Sequence, residues 1–119
     1  MKRIGIIGSR KRNSGNDYQK IKNTFMRVAN ADDIIVSGGC QEGGDHFAEI
    51  IAAQFSIPTE IFRPEWKKYG RSAGFIRNTD IAKTSDILIA CVAVNRKGGT
   101  EDTIKKFKKF HPEGRLILC

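Results

Sequence analysis

Residues 36 to 45, VSGGCQEGGD, place four glycines between the end of an apolar run and the start of a helical pattern. This order predicts a strand, a glycine-rich turn and a helix, the repeating unit of an α/β fold. Such a turn brings backbone N–H groups and the positive end of a helix dipole to one place. Because glycine lets a ligand approach the backbone closely, Gly38, Gly39 and Gly44 are candidate ligand-binding residues. We expect Gly39→Val to abolish ligand binding and to leave the fold mostly intact.

The rest of the chain repeats this alternation. Residues with helical spacing separate five apolar runs of strand length, at 3–8, 33–37, 57–63, 86–92 and 115–119. The runs are nearly continuous in Ile, Leu and Val, which is typical of parallel strands covered on both faces. The sequence therefore predicts an α/β fold, a Rossmann-like three-layer sandwich with a mainly parallel sheet of about five strands. In such a sheet, ligands bind beyond the carboxyl ends of the strands.

Length and composition limit the organisation of the protein. A chain of 119 residues with no internal repeat and no Pro/Ser-rich linker predicts one domain over residues 1–119. The opening MKRIGIIGSR has too few apolar residues for a signal peptide or a membrane span. The three cysteines are odd in number and match no zinc spacing. We therefore expect a cytoplasmic protein with reduced thiols, and with no membrane partner, bound metal or cofactor.

The charge of the chain favours an anionic partner. The 21 Lys and Arg residues exceed the 13 Asp and Glu residues and give a net charge of +8. A nucleotide, a phosphorylated metabolite and a nucleic acid are all compatible with this excess. Much of it lies in residues 104–110, IKKFKKF, where apolar residues recur every three positions between lysine pairs. The solvated face of a helix is the simpler interpretation of that segment.

The first two strand ends carry further candidate binding residues. Gly8, Ser9 and Arg10 follow the first strand, and Asp45 stands where the helix after the second strand is expected to begin. Asp45 would repel a phosphate, but it would accept hydrogen bonds from ribose hydroxyls or from helix N–H groups. An ordinary helix N-cap is the competing interpretation of Asp45.

The turn after the fourth strand, NRKGGTE, is the better candidate for binding phosphate. Gly98, Gly99 and Thr100 supply backbone donors and a hydroxyl beside two cations. The alternative is a flexible loop capped by Thr100, with both cations, Arg96 and Lys97, in solvent. Neither glycine-rich turn contains GxxxxGK[ST] or GxGxxG, so P-loop hydrolysis and ordinary NAD dehydrogenase chemistry lose support.

The segment after the third strand, WKKYGRSAGFIRN, combines aromatic and basic residues. Trp66 or Tyr69 is placed to stack on a nucleobase, although aromatic residues of small α/β proteins more often fill the core. Arg77 and Asn78 follow the inward-facing Ile76 on a predicted helix and suit a polar pocket near the ligand edge of the sheet. A surface ion pair of Arg77 with Asp80 is the alternative.

Six motifs, read in order, resemble those of the SLOG superfamily of Rossmann-like nucleotide-binding proteins, specifically its YspA-like branch: GSR, SGGCQEGGD, FRPEWKKYG, AGFIRN, SDILIA and GGT. The resemblance extends from Ile4 to Leu118. It implies a pocket for a nucleotide or nucleotide-derived ligand, formed by the loops after the first, second and fourth strands, and a homo-oligomer assembled through helices. Carried over by position, the implied binding residues are Gly8, Ser9, Arg10, Gly38, Gly39, Gly44, Asp45, Arg77, Asn78, Gly99 and Thr100.

Related members of that superfamily, the LOG-type phosphoribohydrolases, cleave the N-glycosidic bond of nucleoside monophosphates with an arginine and the glutamate of a GGxGTxxE pattern. This chain resembles the pattern but has Thr103 in place of the glutamate. Glu101 and Asp102 are close in sequence, but on a helix they point roughly 200° and 100° away from position 103. The pattern therefore favours binding over catalysis and leaves enzymatic activity undecided.

Three function classes follow from the sequence. The first is binding, sensing or sequestration of a nucleotide or nucleotide-derived ligand. The second is hydrolysis of an N-glycosidic bond in nucleoside monophosphates or NAD-like compounds. The third is nucleic-acid binding by a basic surface.

Overall fold

The computed structural model of the protein describes residues 1–40 and 43–119, and in these residues one sheet of five parallel strands lies between two layers of helices. The strands are Arg3–Gly8 (β1), Ile34–Ser37 (β2), Thr59–Ile61 (β3), Ile87–Cys91 (β4) and Arg115–Leu118 (β5). The helices are Gly15–Val28 (α1), Gly44–Phe55 (α2), Trp66–Tyr69 (α3), Ala73–Thr84 (α4) and Gly99–Phe110 (α5), with a 3₁₀ turn at Gly70–Ser72. No helix within the described residues has the length and apolar character needed to cross a membrane. The predicted α/β sandwich with a parallel sheet is confirmed.

The third strand is shorter than the apolar run 57–63 that predicted it. The amide of Ile57 donates to the carbonyl of Ala52 at the end of α2, so Ile57 belongs to the helix terminus rather than to the sheet. Pro58 has no amide to donate. Only Thr59–Ile61 is therefore left to form β3. The other four predicted runs agree with the observed strands to within one residue at each end.

Different helices cover the two faces of the sheet. Ile4 and Ile6 of β1 lie in one core cluster with Ile21 of α1 and Ile51 of α2. Ile7 of β1 lies in a second cluster with residues of α4 and α5. Because successive side chains of a strand point to opposite faces, α1 and α2 cover one face, and α4 and α5 cover the other.

The strand order is β3-β2-β1-β4-β5, and it reverses between β1 and β4. After β1 the chain turns to α1 on one face, and after β4 it turns to α5 on the opposite face. The two loops therefore separate and leave a crevice at the carboxyl ends of the central strands. Ligands of doubly wound sheets bind in this crevice.

The last helix, α5, has one buried face and one exposed face, as its sequence predicts. Ile104 and Phe107 are buried against the sheet, whereas Phe110 at the end of the helix is 39% exposed. The lysines at positions 105, 108 and 109 are exposed. The buried stripe fixes α5 to the sheet and so fixes the position of its N-terminus.

Candidate functional site

A cavity of about 450 Å³, here called the first cavity, opens between the loops that follow β1 and β4. Its volume lies within the range of small-molecule pockets, about 300–1,000 Å³. Nine of the twelve candidate residues line it: Gly8, Ser9, Arg10, Asp45, Arg77, Asn78, Gly98, Gly99 and Thr100. The fold therefore brings residues from four separate motifs to the point where the strand order reverses.

The loop after β1 is fixed to the neighbouring strand. The amide of Ser9 donates to the carbonyl of Cys91 at the end of β4, at 2.9 Å. Ser9 Oγ accepts a hydrogen bond from the amide of Lys11 at 3.2 Å. With the backbone held in this way, Arg10 lines the first cavity with an exposed side chain.

The end of the glycine-rich turn is needed for packing. Gly44 begins α2, and a Cβ added to it would overlap the backbone of Ile7 and Gly8 at the end of β1. Gly43 has a φ of 72°, and a Cβ there would meet the carbonyl of Ser9. Gly44 does not line the first cavity. Gly44 was predicted as a ligand contact. In the structure, its missing side chain instead allows α2 to pack closely against β1.

The beginning of the same turn faces a different space. Gly38 and Gly39 line a second cavity, of about 440 Å³, that adjoins the first. Gly39 has a φ of 75°, and an added Cβ would meet the side chains of Arg63 and Ile61. A β-branched residue is strained at such a φ. We therefore expect Gly39→Val to strain the backbone and lower stability as well as to alter the cavity, which adds a cost that the sequence did not indicate.

Asp45 is buried in the wall of the first cavity. Helix α2 begins at Gly44 with Gly43 at its cap position, so the interpretation of Asp45 as an ordinary N-cap is wrong. Its Oδ2 accepts a hydrogen bond from the amide of Cys40 at 3.3 Å. The same oxygen lies 4.0 Å from Nη1 of Arg77. Asp45 therefore joins the glycine-rich turn to α4.

Asp45→Asn is expected to gain stability relative to the wild-type protein as the pH rises. Burial raises the pKa of Asp45 above its ordinary value of 3.8, against the opposing effects of Arg77 and of two backbone amides. The unfolded chain consequently loses this proton at a lower pH than the folded protein does. The free energy of unfolding therefore falls as the pH rises from 3.8 to the folded-state pKa, and then stays level. Asparagine does not titrate, so the variant lacks this decline.

Urea unfolding of the two proteins from about pH 4 to about pH 7 measures this difference. The stability of the variant minus that of the wild type should increase across the range. Two parallel pH dependences would contradict a raised pKa for Asp45.

Arg77 of α4 lines both cavities. Its Nη1 donates to the carbonyl of Gly38 at 2.7 Å, and its Nε donates to Oδ1 of Asn78 at 2.9 Å. Of the carboxylates in the described residues, that of Asp45, and not that of Asp80, lies within ion-pair distance. The alternative of a surface pair with Asp80 is therefore wrong. Arg77 is instead a partly buried residue, with 18% of its side chain exposed.

Asn78 connects α4 to the start of α5. Its Nδ2 donates to Oδ2 of Asp102 at 3.1 Å and to the carbonyl of Gly99 at 3.4 Å. Asp102 also accepts a hydrogen bond from Nζ of Lys106 at 2.8 Å. Because its Oδ1 accepts from Arg77, Asn78 fixes the distance between that arginine and the first turn of α5.

The N-terminus of α5 also lines the first cavity. Gly98, with a φ of 110°, occupies the cap position without a side-chain cap, and the helix begins at Gly99. Thr100 lies inside the first turn, so its predicted role as N-cap is wrong. The first amides of a helix have no partner within the helix. Those of α5 are consequently placed to donate to an anion in the cavity.

The two cations before α5 have different surroundings. Arg96 donates from Nε and Nη2 to the two carboxylate oxygens of Glu101, at 2.8 and 2.9 Å. Lys97 lines the first cavity, whereas Arg96 does not. The predicted convergence of two cations on a phosphate is therefore compatible with the position of Lys97 and not with that of Arg96.

Five polar residues outside the candidate set also line the first cavity: Lys11, Cys40, Asn95, Lys97 and Thr103. Each lies beside or inside a motif that the sequence singles out, since Lys11 follows GSR and Asn95 precedes the last glycine pair. Cys40 lies inside the glycine-rich motif, and extending the other motifs by a few residues would have found the rest. Lys11 adds a fourth basic residue to the cavity, after Arg10, Arg77 and Lys97.

Trp66, at the start of α3, lines the second cavity and is 57% exposed. The interpretation of Trp66 as a core residue is wrong, because the chain around it lies outside the two clusters of the core. Arg10, Arg63 and Arg77 also line the second cavity. One aromatic and three basic residues therefore line this space.

The position of the phosphoribohydrolase glutamate is occupied by a buried threonine. Thr103 lines the first cavity, and its Oγ1 donates to the carbonyl of Gly99 at 3.3 Å. Glu101 and Asp102 take part in ion pairs and do not line that cavity. Among the residues that the structure describes, Asp45 supplies the carboxylate of the first cavity.

Comparison with known proteins adds no assignment to either cavity. The chain has no match among family models, curated proteins or solved structures. The geometry and charge of the two cavities therefore carry the functional conclusions.

Proposed function

We propose that the protein binds a nucleotide or a nucleotide-derived small molecule in the first cavity. The observation that carries this proposal is the position of the cavity at the carboxyl ends of β1 and β4, where the strand order reverses. Doubly wound sheets bind nucleotides at this position because two loops diverge there and leave space above the strands.

The chemistry of the cavity agrees with a phosphorylated ligand. Arg10, Lys11, Arg77 and Lys97 line it, next to the uncapped N-terminus of α5. Guanidinium groups and helix amides are the donors that phosphates use most often in proteins. The carboxylate of Asp45, which lines the same cavity, suits the hydroxyl groups of a sugar.

The resemblance of the motifs to those of SLOG proteins supports the same proposal. Sensing or sequestering a ligand requires only that it be held, and the first cavity offers donors and an acceptor for this purpose. The homo-oligomer implied by the resemblance stays a prediction, and the subunit count can be measured together with ligand retention.

Titration calorimetry with the common nucleoside monophosphates, with the parent nucleosides as controls, tests the proposal. At least one nucleotide should bind about tenfold or more tightly than its nucleoside, because a charge-assisted hydrogen bond contributes about 1.5–3 kcal/mol. Native mass spectrometry of the purified protein should show a retained small molecule and also gives the subunit count. Absence of a retained molecule together with absence of binding across the panel would contradict the proposal.

Hydrolysis of an N-glycosidic bond is a second candidate function, and the environment of Asp45 favours it. Burial raises the pKa of Asp45 and so favours its protonated form, and a carboxylic acid in a binding cavity is suited to donate its proton to a leaving group. Incubation with nucleoside monophosphates and NAD, followed by chromatography for the released base, tests this function. Release that Asp45→Asn abolishes would support hydrolysis, whereas intact substrates would leave binding as the function.

Nucleic-acid binding, the third function class, would use a different surface from the two cavities. The exposed lysines of α5 lie on its outer face, away from the residues that line the first cavity. Binding that uses them would neutralise several phosphates and would weaken steeply with added salt. A strong salt dependence with oligonucleotides, without binding of mononucleotides, would favour this class.

A further inference from the structure

The first and second cavities are adjacent and share part of their walls. Arg10, Cys40 and Arg77 line both of them. Each cavity, at about 450 and 440 Å³, has the volume of a pocket for one small ligand. Two guanidinium groups therefore stand at the boundary between two spaces of similar size.

Arg77 is positioned to serve both spaces. Its Nε and Nη1 are held by Asn78 and by the carbonyl of Gly38, which orients the planar guanidinium. Its Nη2 makes no hydrogen bond with the described residues. A phosphate at the boundary could therefore accept from Nη2 without displacing the existing bonds, and Arg10 lines the same boundary.

The second cavity differs from the first in having an aromatic wall. Trp66 is 57% exposed, so its ring surface is accessible to a ligand. Beside it, Arg63 is held in place by the carbonyl of Gly39 at 3.2 Å and by Glu49 at 3.4 Å. A tryptophan ring next to guanidinium groups is suited to stack on a planar nucleobase, and base–aromatic stacking depends little on which base is present.

We propose that the second cavity is a subsite for the base of a second nucleoside unit. The full site then accepts a ligand made of two nucleoside units joined through phosphate, with the phosphate bridge near Arg10 and Arg77. One unit occupies the first cavity, and the base of the other lies against Trp66. This inference rests on the proposed nucleotide binding and extends it from a mononucleotide to a dinucleotide.

Two probes separate the two-cavity ligand from a mononucleotide. Adenosine monophosphate fits one cavity, and diadenosine diphosphate, with two adenosines joined by a diphosphate, fits both. We expect the dinucleotide to bind at least about tenfold more tightly by calorimetry, because it adds a stacked base and a second charged contact. Trp66 is the one tryptophan in the sequence, so intrinsic fluorescence reports on this subsite directly. The dinucleotide should quench it, and the mononucleotide should not at matched saturation.

Trp66→Ala tests the stacking contact. It should weaken the binding of diadenosine diphosphate about 5- to 30-fold, corresponding to the lower part of the measured range of stacking energies for a ring that is half exposed. The affinity for adenosine monophosphate should stay within about twofold, because that probe occupies the first cavity. Phe75→Ala is the matched control, since Phe75 is 59% exposed and lines neither cavity. It should change neither affinity.

Three results would overturn the inference. Equal affinities of the wild-type protein for the two probes would show that the second cavity adds nothing. If Trp66→Ala weakened the binding of both probes equally, the base of a mononucleotide would already contact the tryptophan, and no second base would be needed there. Absence of binding by either probe would also overturn it, whereas the proposed nucleotide binding fails only if the wider panel and native mass spectrometry are negative as well.

Discussion

Gly44→Ala is expected to lower the free energy of unfolding by about 3 kcal/mol or more, the largest change in stability that we predict for a single methyl group. The added Cβ would overlap backbone atoms of Ile7 and Gly8. The backbone of a central strand cannot rotate out of the way as a side chain can. Helix α2 therefore has to move away from β1 to accommodate the methyl group. Urea unfolding followed by circular dichroism measures the loss.

Gly15→Ala is the control for this prediction. Gly15 is also the first residue of a helix, α1, but a Cβ added there meets nothing within 4 Å. Its stability should be unchanged or higher by up to about 1 kcal/mol, because alanine restricts the unfolded chain. If Gly44→Ala lost less than about 1 kcal/mol, α2 and β1 would not be held at the distance described.

Arg77→Ala is expected to weaken ligand binding about 10- to 150-fold, the largest change in affinity that we predict. The guanidinium lines both cavities, and a charge-assisted contact with phosphate contributes about 1.5–3 kcal/mol. Arg77→Lys should restore only part of the affinity, because lysine keeps the charge and loses the planar fork. Titration of both variants with the tightest nucleotide of the panel measures the effect.

The pairing of Arg77 with Asp45 requires a second comparison. Removing the arginine leaves a buried carboxylate without its cation, so Arg77→Ala also lowers stability through Asp45. Introducing Arg77→Ala into an Asp45→Asn protein removes that complication. In this background the loss of affinity should persist while the loss of stability should shrink. Equal affinities of the Asp45→Asn protein with and without Arg77 would exclude Arg77 from the site.

Local periodicity was sufficient to predict the layers of the fold. The central strands β1 and β4 are buried on both faces, so their sequences are continuous in apolar residues and their ends are clear. The end strand β3 was predicted too long, because the bond from Ile57 to Ala52 depends on how α2 ends. The spacing of hydrophobic residues does not reveal a backbone hydrogen bond of this kind.

The location of the site could be predicted from the sequence. The structural and ligand-binding roles of its individual residues could not all be inferred. The turns that follow strands identified seven residues that line the first cavity, and the helix position after Ile76 identified two more, Arg77 and Asn78. The pair of Asp45 and Arg77 joins residues from α2 and α4, and helical spacing instead suggested Asp80. Likewise, a glycine required by a ligand and a glycine required by a neighbouring strand look the same in the sequence, so the packing of Gly44 against β1 was not foreseen.

The shortness of the outermost strands limits how copies of this protein can associate. β3 has three residues and β5 has four, and within residues 1–40 and 43–119 these are the two strands that are paired on one side only. The free N–H and C=O groups of an edge strand can pair with a second chain and extend the sheet. This pairing becomes less favourable as the number of free backbone groups falls. Two copies joined edge to edge would share only a few hydrogen bonds. We therefore expect any stable assembly of this protein to form through side-chain surfaces, and we expect little β-sheet aggregation from the native state.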